Sequence, residues 1–122
     1  VIATGKTTKI RDFVKMAFNY IGVELDFVGE GIKEVAKIAS CANPDYQLEI
    51  GKEVLSIDER YFRPTEVDLL VGDATKAKEK LGWEPEITLE ELIKDMMASD
   101  IKLFKKDKFL KDEGFNTLNY FE

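Results

Sequence analysis

The first 28 residues combine a helical and a strand-like hydrophobic pattern. In TTKIRDFVKMAFNYIG, residues 7–22, apolar side chains recur every three or four positions, which predicts an amphipathic helix. Thr7 or Thr8 is placed to cap its start, and Gly22 suits its end. The apolar VIAT before this helix and the alternating VELDFV after it, residues 23–28, predict strands. A strand, a helix and a strand in this order indicate a parallel pair.

The middle of the chain has a weaker hydrophobic period. KEVAKIA, residues 33–39, is compatible with a short helix before the turn signal Asn-Pro-Asp at 43–45. EVLSID, residues 53–58, and EVDLLVG, residues 66–72, have the pattern of strands. RYFRPTE, residues 60–66, is therefore expected at a junction between two strands.

The last third of the chain predicts two further helices. Asp73 can cap the segment ATKAKEKLG, which ends at Gly82. In TLEELIKDMMASDIKLFKK, residues 88–106, Thr88 and Glu91 have the spacing of a capping box. The apolar stripe of this segment predicts the longest helix, and its methionines favour core packing over a binding groove.

These elements predict an α/β fold in which short, mainly parallel strands carry packed helices. The chain has 122 residues, 44% of them apolar and 34% charged, which suffices for one domain with a hydrophobic core. We expect residues 1–122 to form a single domain. Residues 105–122, which mix lysines with aromatic side chains, are expected to form a loosely docked tail.

Charge, cysteine and histidine content exclude several classes of function. The formal net charge is -6, which argues against a nucleic-acid or anionic-membrane surface, because phosphates require clustered positive charge. The lack of a secretion signal and of a membrane-spanning apolar run, together with the single Cys41, favours the cytoplasm. Because the chain has no histidine, neither a Ser-His-Asp triad nor a histidine-based metal site is possible, and we expect no metal.

Two signatures of cofactor binding and catalysis are missing from the chain. Gly29 and Gly31 are not followed by the third glycine of a dinucleotide fingerprint. No tyrosine is followed by a lysine four residues later, so the tyrosine-lysine pair of short-chain dehydrogenases is absent. We therefore expect no catalytic residue in this chain and no enzyme activity from it alone.

The arginines of RYFRPTE are the candidate ligand-binding residues. An arginine presents a planar fork of donors that suits a diphosphate, and Pro64 restricts the backbone at Arg63. Glu66, three residues further on, could accept hydrogen bonds from vicinal hydroxyls. Arg63 and Glu66 thus form a plausible clamp for a sugar nucleotide. The alternative is an ion pair within the chain, either Arg63 with Glu66 or Arg60 with Asp58.

Two quoted stretches resemble a known family. VIATG at the start and DERYFRPTEVDLLVGDATKAKEKLGWEPEITLEELIKDMMASDI, residues 58–101, are similar to the carboxyl-terminal, substrate-binding portion of the GDP-mannose 4,6-dehydratase family, which belongs to the extended short-chain dehydrogenases/reductases. The combination of YFRPTEVD with GDATKAKEKLGW is the specific part of the match. Ala74 stands where the family usually has proline, and residues 31–52 match poorly.

The resemblance implies a reaction and a division of roles. In the family, NADP accepts hydride from C4 of GDP-mannose, water is eliminated across C5 and C6, and the hydride returns at C6, which gives GDP-4-dehydro-6-deoxy-mannose on the way to GDP-fucose. NADP and the catalytic groups belong to an amino-terminal Rossmann domain, which is expected to precede this chain. Carried over by residue, Arg63 would contact the GDP diphosphate and Glu66 the ribose hydroxyls, with Arg60, Tyr61 and Arg11 as weaker candidates.

Three further expectations concern partners and rival functions. The resemblance implies that the complete enzyme is a homo-oligomer. Tyr61, Phe62 and the aromatic tail are candidates for an apolar docking surface, so we expect the isolated chain to self-associate. The rival functions are the substrate lobe of another nucleotide-sugar dehydratase, epimerase or reductase, and a non-catalytic interaction module.

Overall fold

The computed structural model of the chain describes residues 1–46, 48–63 and 69–117. It divides into two compact units, Val1–Glu86 and Ile87–Glu122. The first unit contains a three-stranded sheet, the helix α1 (Ile10–Tyr20) and the short helix α2 (Thr75–Leu81). The second contains the long helix α3 (Leu89–Asp112). The mixture of helices and strands confirms the predicted α/β class.

The sheet consists of β1 (Val23–Val28), β2 (Val35–Cys41) and β3 (Glu53–Ser56), in that spatial order. Both pairs are antiparallel: Val23 lies opposite Cys41 in the first pair, and Val35 lies opposite Ser56 in the second. The prediction of parallel strands is therefore wrong for the described strands. The expected parallel partner of β1, residues 1–4, has no strand assignment. β1 pairs instead with β2, which follows after only residues 29–34, and so short a connection joins antiparallel neighbours, whereas a parallel pair needs a crossover of about a dozen residues or more.

Gly29 makes the tight connection between β1 and β2 possible. Its φ angle is +93°, a left-handed conformation, and a Cβ atom at this position would overlap the carbonyl oxygen of Lys33. The short 3-10 helix Gly31–Lys33 then leads into β2. The prediction of a helix over residues 33–39 is wrong, because the alternation of Ala36 and Ile38 is used to pair with β1.

The core of the first unit lies between α1 and the sheet. Val23, Ala36 and Ile38 are fully or almost fully buried and form a cluster with Leu25. The alternation predicted for residues 23–28 is confirmed, since Glu24 and Asp26 are exposed. The following side chains pack around the cluster from α1, the strands and the loops: Val14, Phe18, Ile21, Phe27, Cys41, Leu48, Val54 and Leu55.

Helix ends match the sequence predictions in part. α1 lies where it was predicted, but Lys9 occupies its N-cap without a side-chain hydrogen bond, so the threonine cap is wrong. α2 is preceded by Asp73 and followed by Gly82, as predicted, although Ala74 holds the N-cap position. Residues 1–4 and 69–72, where strands were predicted, have no strand assignment, and residues 66–68 lie outside the described residues.

α3 begins with the predicted capping box. The Thr88 hydroxyl accepts a hydrogen bond from the Glu91 N–H, and the Glu91 carboxylate accepts one from the Thr88 N–H. The helix continues through residues 105–112, which were predicted as part of a loose tail. Its apolar stripe is only partly buried: Ile93 is buried, whereas Leu92 and Met96 are each 45% exposed. None of the described helices combines the length and apolar character that a membrane crossing requires.

Candidate functional site

A short turn after β3 lies just before Arg63, the first residue of the predicted ligand-binding pair. Residues Glu59–Tyr61 form one 3-10 turn whose N-cap is Asp58. The Asp58 carboxylate accepts hydrogen bonds from the backbone N–H of Arg60 at 2.9 Å and from its guanidinium, with the shortest distance 2.6 Å to Nη2. These side-chain and backbone hydrogen bonds lower the pKa of Asp58, and the carboxylate raises the pKa of Arg60. One of the two ion pairs foreseen as alternatives to ligand binding is therefore formed.

Tyr61 and Phe62 follow this turn and are exposed. The Tyr61 residue is 78% exposed and Phe62 43%. The guanidinium carbon of Arg60 lies 5.7 Å from the centre of the Tyr61 ring, a cation–π distance. The turn thus presents an aromatic side chain to solvent, with an arginine held beside it.

Arg63 is exposed, and its partner in the predicted clamp lies outside the described residues. Among the described residues, Arg63 makes no hydrogen bond or ion pair. Glu66 belongs to residues 64–68, of which the structure gives no description. The clamp of Arg63 and Glu66 therefore stays a prediction. The structure adds one contrast between the two arginines: the charge of Arg60 is matched by Asp58, whereas Arg63 has no ionic partner among the described residues.

Arg11, a weaker candidate, is engaged in the packing of α1. Its Nη2 lies 2.5 Å from the Glu34 carboxylate, and its guanidinium carbon lies 5.6 Å from the centre of the Phe27 ring. Lys15 approaches the same ring at 5.3 Å. Arg11 is thus engaged within the chain, where its contacts with Glu34 and Phe27 help to fasten α1 to the end of β1.

A cleft that the sequence did not predict lies elsewhere in the first unit. It has a volume of about 420 Å³, between residues 3–5 and residues 72–85, with Trp83 in its wall. Its charged side chains already have partners: Lys78 pairs with Glu84 at 2.5 Å, and Asp73 accepts hydrogen bonds from Thr75. The charged side chains named here are thus all engaged in contacts within the chain.

The glycine motifs of the chain do not fit a nucleotide cofactor. Gly29 and Gly31 lie in the connection between antiparallel strands and not between a strand and a helix, so the described residues give NADP no Rossmann phosphate site. The sequence also contains Gly5-Lys6-Thr7, which matches the end of a phosphate-binding loop. However, α1 begins only at Ile10, so Lys6 and Thr7 do not open a helix. In the described ranges, no group of three or more histidine, cysteine or acidic side chains could hold a metal ion.

Comparison with known proteins places these residues in one context. A family model described as GDP-mannose 4,6 dehydratase matches residues 1–96, which include α1, the sheet, α2 and Arg63. The matched range also contains residues 31–52, the segment in which the resemblance described above was poor.

Individual relatives carry the same name. The chain is 46% identical over 118 residues to a GDP-mannose 4,6-dehydratase of Yersinia enterocolitica, covering 95% of this chain and 32% of the relative. It is 46% identical to GDP-mannose 4,6 dehydratase 2 of Caenorhabditis elegans, covering 88% and 25%, and 39% identical to the Homo sapiens protein of the same family, covering 86% and 26%. The chain thus spans about a third or less of the length of these relatives.

Proposed function

Since the chain belongs to the GDP-mannose 4,6 dehydratase family, whose model matches residues 1–96, we propose that it is the GDP-mannose-binding domain of such an enzyme. In this proposal, residues 1–122 act as one substrate-binding domain. The residue-level part assigns the diphosphate of GDP-mannose to Arg63 and the ribose hydroxyls to Glu66.

The exposed Arg63 is the observation that supports this assignment best. Asp58 already matches the charge of the neighbouring Arg60 at 2.6 Å, whereas Arg63 has no ionic partner among the described residues. A guanidinium can form two parallel hydrogen bonds with phosphate oxygens, and such charge-assisted bonds are stronger than neutral ones. In a chain with a net charge of -6, an anionic ligand needs a local cation of this kind.

The proposal extends to the complete enzyme. The native gene product would convert GDP-mannose to GDP-4-dehydro-6-deoxy-mannose, and NADP and the catalytic groups would belong to an amino-terminal Rossmann domain. The resemblance supports this division. We further propose a homo-oligomeric enzyme in the cytoplasm.

Substitution of Arg63 tests the binding role. In the native gene product, we expect Arg63→Ala to weaken GDP binding by about tenfold to a hundredfold, because hydrogen bonds to a charged group contribute about 1.5–3 kcal/mol. Arg63→Lys should bind GDP with intermediate affinity, since it keeps the charge and loses the fork of donors. Isothermal titration calorimetry with GDP gives both affinities, and turnover of GDP-mannose should fall in parallel.

Lys80→Ala is the matched control, because it removes one exposed positive charge from α2, which the proposal does not place at the ligand. It should leave GDP binding unchanged. If Arg63→Ala and Lys80→Ala lowered the affinity equally, only net charge would matter and the proposed contact would be wrong. Tighter binding of UDP or dTDP than of GDP would favour another nucleotide-sugar enzyme, and no nucleotide binding would favour an interaction module.

A further inference from the structure

Tyr61 has the properties of a stacking platform that the proposed function does not use. Its residue is 78% exposed, although an aromatic side chain gains free energy when it is removed from water. It lies in a 3-10 turn, directly after Arg60, which binds the Asp58 carboxylate. A ring that is both locally supported and open to solvent is available to a flat ligand.

Two successive contacts, Asp58 with Arg60 and Arg60 with Tyr61, hold a neighbour in place beside the Tyr61 ring. Asp58 holds the guanidinium of Arg60 through Nε, at 3.1 and 3.2 Å, and through Nη2 at 2.6 Å. Arg60 in turn lies 5.7 Å from the centre of the Tyr61 ring. Because three hydrogen bonds orient the guanidinium, the ring has a fixed neighbour on one side, and its large exposed fraction leaves the remainder accessible to a ligand.

The position of Tyr61 relative to Arg63 suits a nucleotide. The two residues are separated by one residue, so their Cα atoms are at most about 7 Å apart. A nucleoside diphosphate has a flat base at one end and a doubly charged group at the other, joined by a ribose. An aromatic ring and a guanidinium that has no ionic partner among the described residues can, at this spacing, receive those two ends together.

We propose that Tyr61 stacks on the base of the bound GDP-sugar while Arg63 binds its diphosphate, and that Arg60 is a positioning residue for the Tyr61 ring. This inference rests on the proposed function, since it assigns a further subsite to the same ligand. Stacking depends on the area of the base and not on its hydrogen-bonding edge. Tyr61 therefore raises the affinity for a nucleotide but not for a bare diphosphate. The gain in affinity is larger for a purine nucleotide than for a pyrimidine nucleotide.

The test compares GDP with inorganic pyrophosphate as ligands of the native gene product in calorimetry. Tyr61→Ala should weaken GDP binding at least about fivefold, the lower limit for losing one aromatic–base stack, and should leave pyrophosphate binding unchanged. Tyr61→Phe keeps the ring and should bind GDP like the wild type. Phe115→Ala, which removes another exposed aromatic side chain, is the control and should change neither affinity.

Arg63 and Arg60 variants separate this inference from the function on which it rests. Arg63→Ala should weaken both GDP and pyrophosphate, whereas Arg60→Ala should weaken GDP alone, a selectivity that general destabilisation would not produce. If Tyr61→Ala bound GDP like the wild type while Arg63→Ala did not, the stacking role would be overturned and the proposed function would stand. If the wild type bound neither ligand, both would fall.

Discussion

Because Gly72 has no Cβ atom, the backbone before α2 can approach the amino-terminal segment closely. A Cβ atom on Gly72 would overlap the Cβ of Ala3, so the amino-terminal segment lies against the backbone that leads to α2. We expect Gly72→Ala to lower the free energy of unfolding by about 1–3 kcal/mol, the usual effect of forcing extra volume into a tight contact. Urea denaturation followed by tryptophan fluorescence would measure it, since Trp83 lies in the adjoining cleft.

The double variant Ala3→Gly with Gly72→Ala checks the cause. Removing the Ala3 methyl group gives the new methyl group room, so the pair should recover much of the lost stability in a double-mutant cycle. Equal destabilisation in the single and the double variant would show that the contact with Ala3 is not responsible.

Residue-scale roles were only partly predictable from the sequence. The spacing of Asp58 and Arg60 was compatible with an ion pair, and so was the spacing of Arg63 and Glu66. The sequence alone does not say which of the two ion pairs forms. The Asp58–Arg60 pair depends on backbone geometry, because the 3-10 turn places the Arg60 side chain and N–H beside the carboxylate of its N-cap residue. Arg11 shows the same limit, since its partner Glu34 is 23 residues away and is brought near only by the fold.

At the scale of elements, the capping box of α3 makes helix stability depend on pH. The hydrogen bonds from the N–H and hydroxyl groups of Thr88, the backbone bond first, lower the pKa of Glu91. A carboxylate with a lowered pKa stabilises the folded state above its unfolded pKa of about 4.3, and this contribution disappears as the pH falls through the folded pKa. Glu91→Ala should therefore reduce the thermal stability of α3 at pH 7 and have little effect near pH 2.

Circular dichroism at 222 nm during heating would measure this effect, with Thr88→Ala and Thr88→Ser as companion variants. Thr88→Ala should destabilise the helix by about 1 kcal/mol at pH 7, and Thr88→Ser much less, because serine keeps the capping hydroxyl. A Glu91→Ala effect of the same size at both pH values would contradict the proposed titration.

The helices α1 and α3, whose signals are local, were predicted correctly, whereas β2, which depends on pairing with distant residues, was not. α1 and α3 show a 3.6-residue period, and the cap of α3 lies within four residues of sequence. β2 has no such local signal, since the hydrophobic pattern of Val35–Cys41 is compatible with either a helix or a strand. Pairing with β1 on one side and β3 on the other selects the strand, and this information is not local.

At the scale of the whole molecule, exposed apolar side chains predict self-association. Tyr61, Phe62, Leu69, Leu70 and Val71 are all between 43% and 78% exposed. Sedimentation velocity at increasing concentration should show a rising mean sedimentation coefficient, because burial of these side chains between copies is favourable. Leu70→Glu should reduce the effect.

Leu81→Glu is the matched control for this experiment, since Leu81 is 77% exposed in α2, outside the segment 61–71. It should leave the association unchanged. A sedimentation coefficient that does not depend on concentration would contradict the prediction, and an equal effect of both glutamates would point to general charge repulsion and not to this segment.

The contact between Ala3 and Gly72 also bears on the order in which the chain folds. It closes a loop that contains α1 and all three strands, whereas β1, β2 and β3 are joined by short connections. Contacts between near neighbours form with a small entropy loss, and a long loop closes with a larger one. We therefore expect the hairpins and α1 to form first, and the amino-terminal residues to dock in a late step, when the assembled sheet has already shortened the loop that this contact closes.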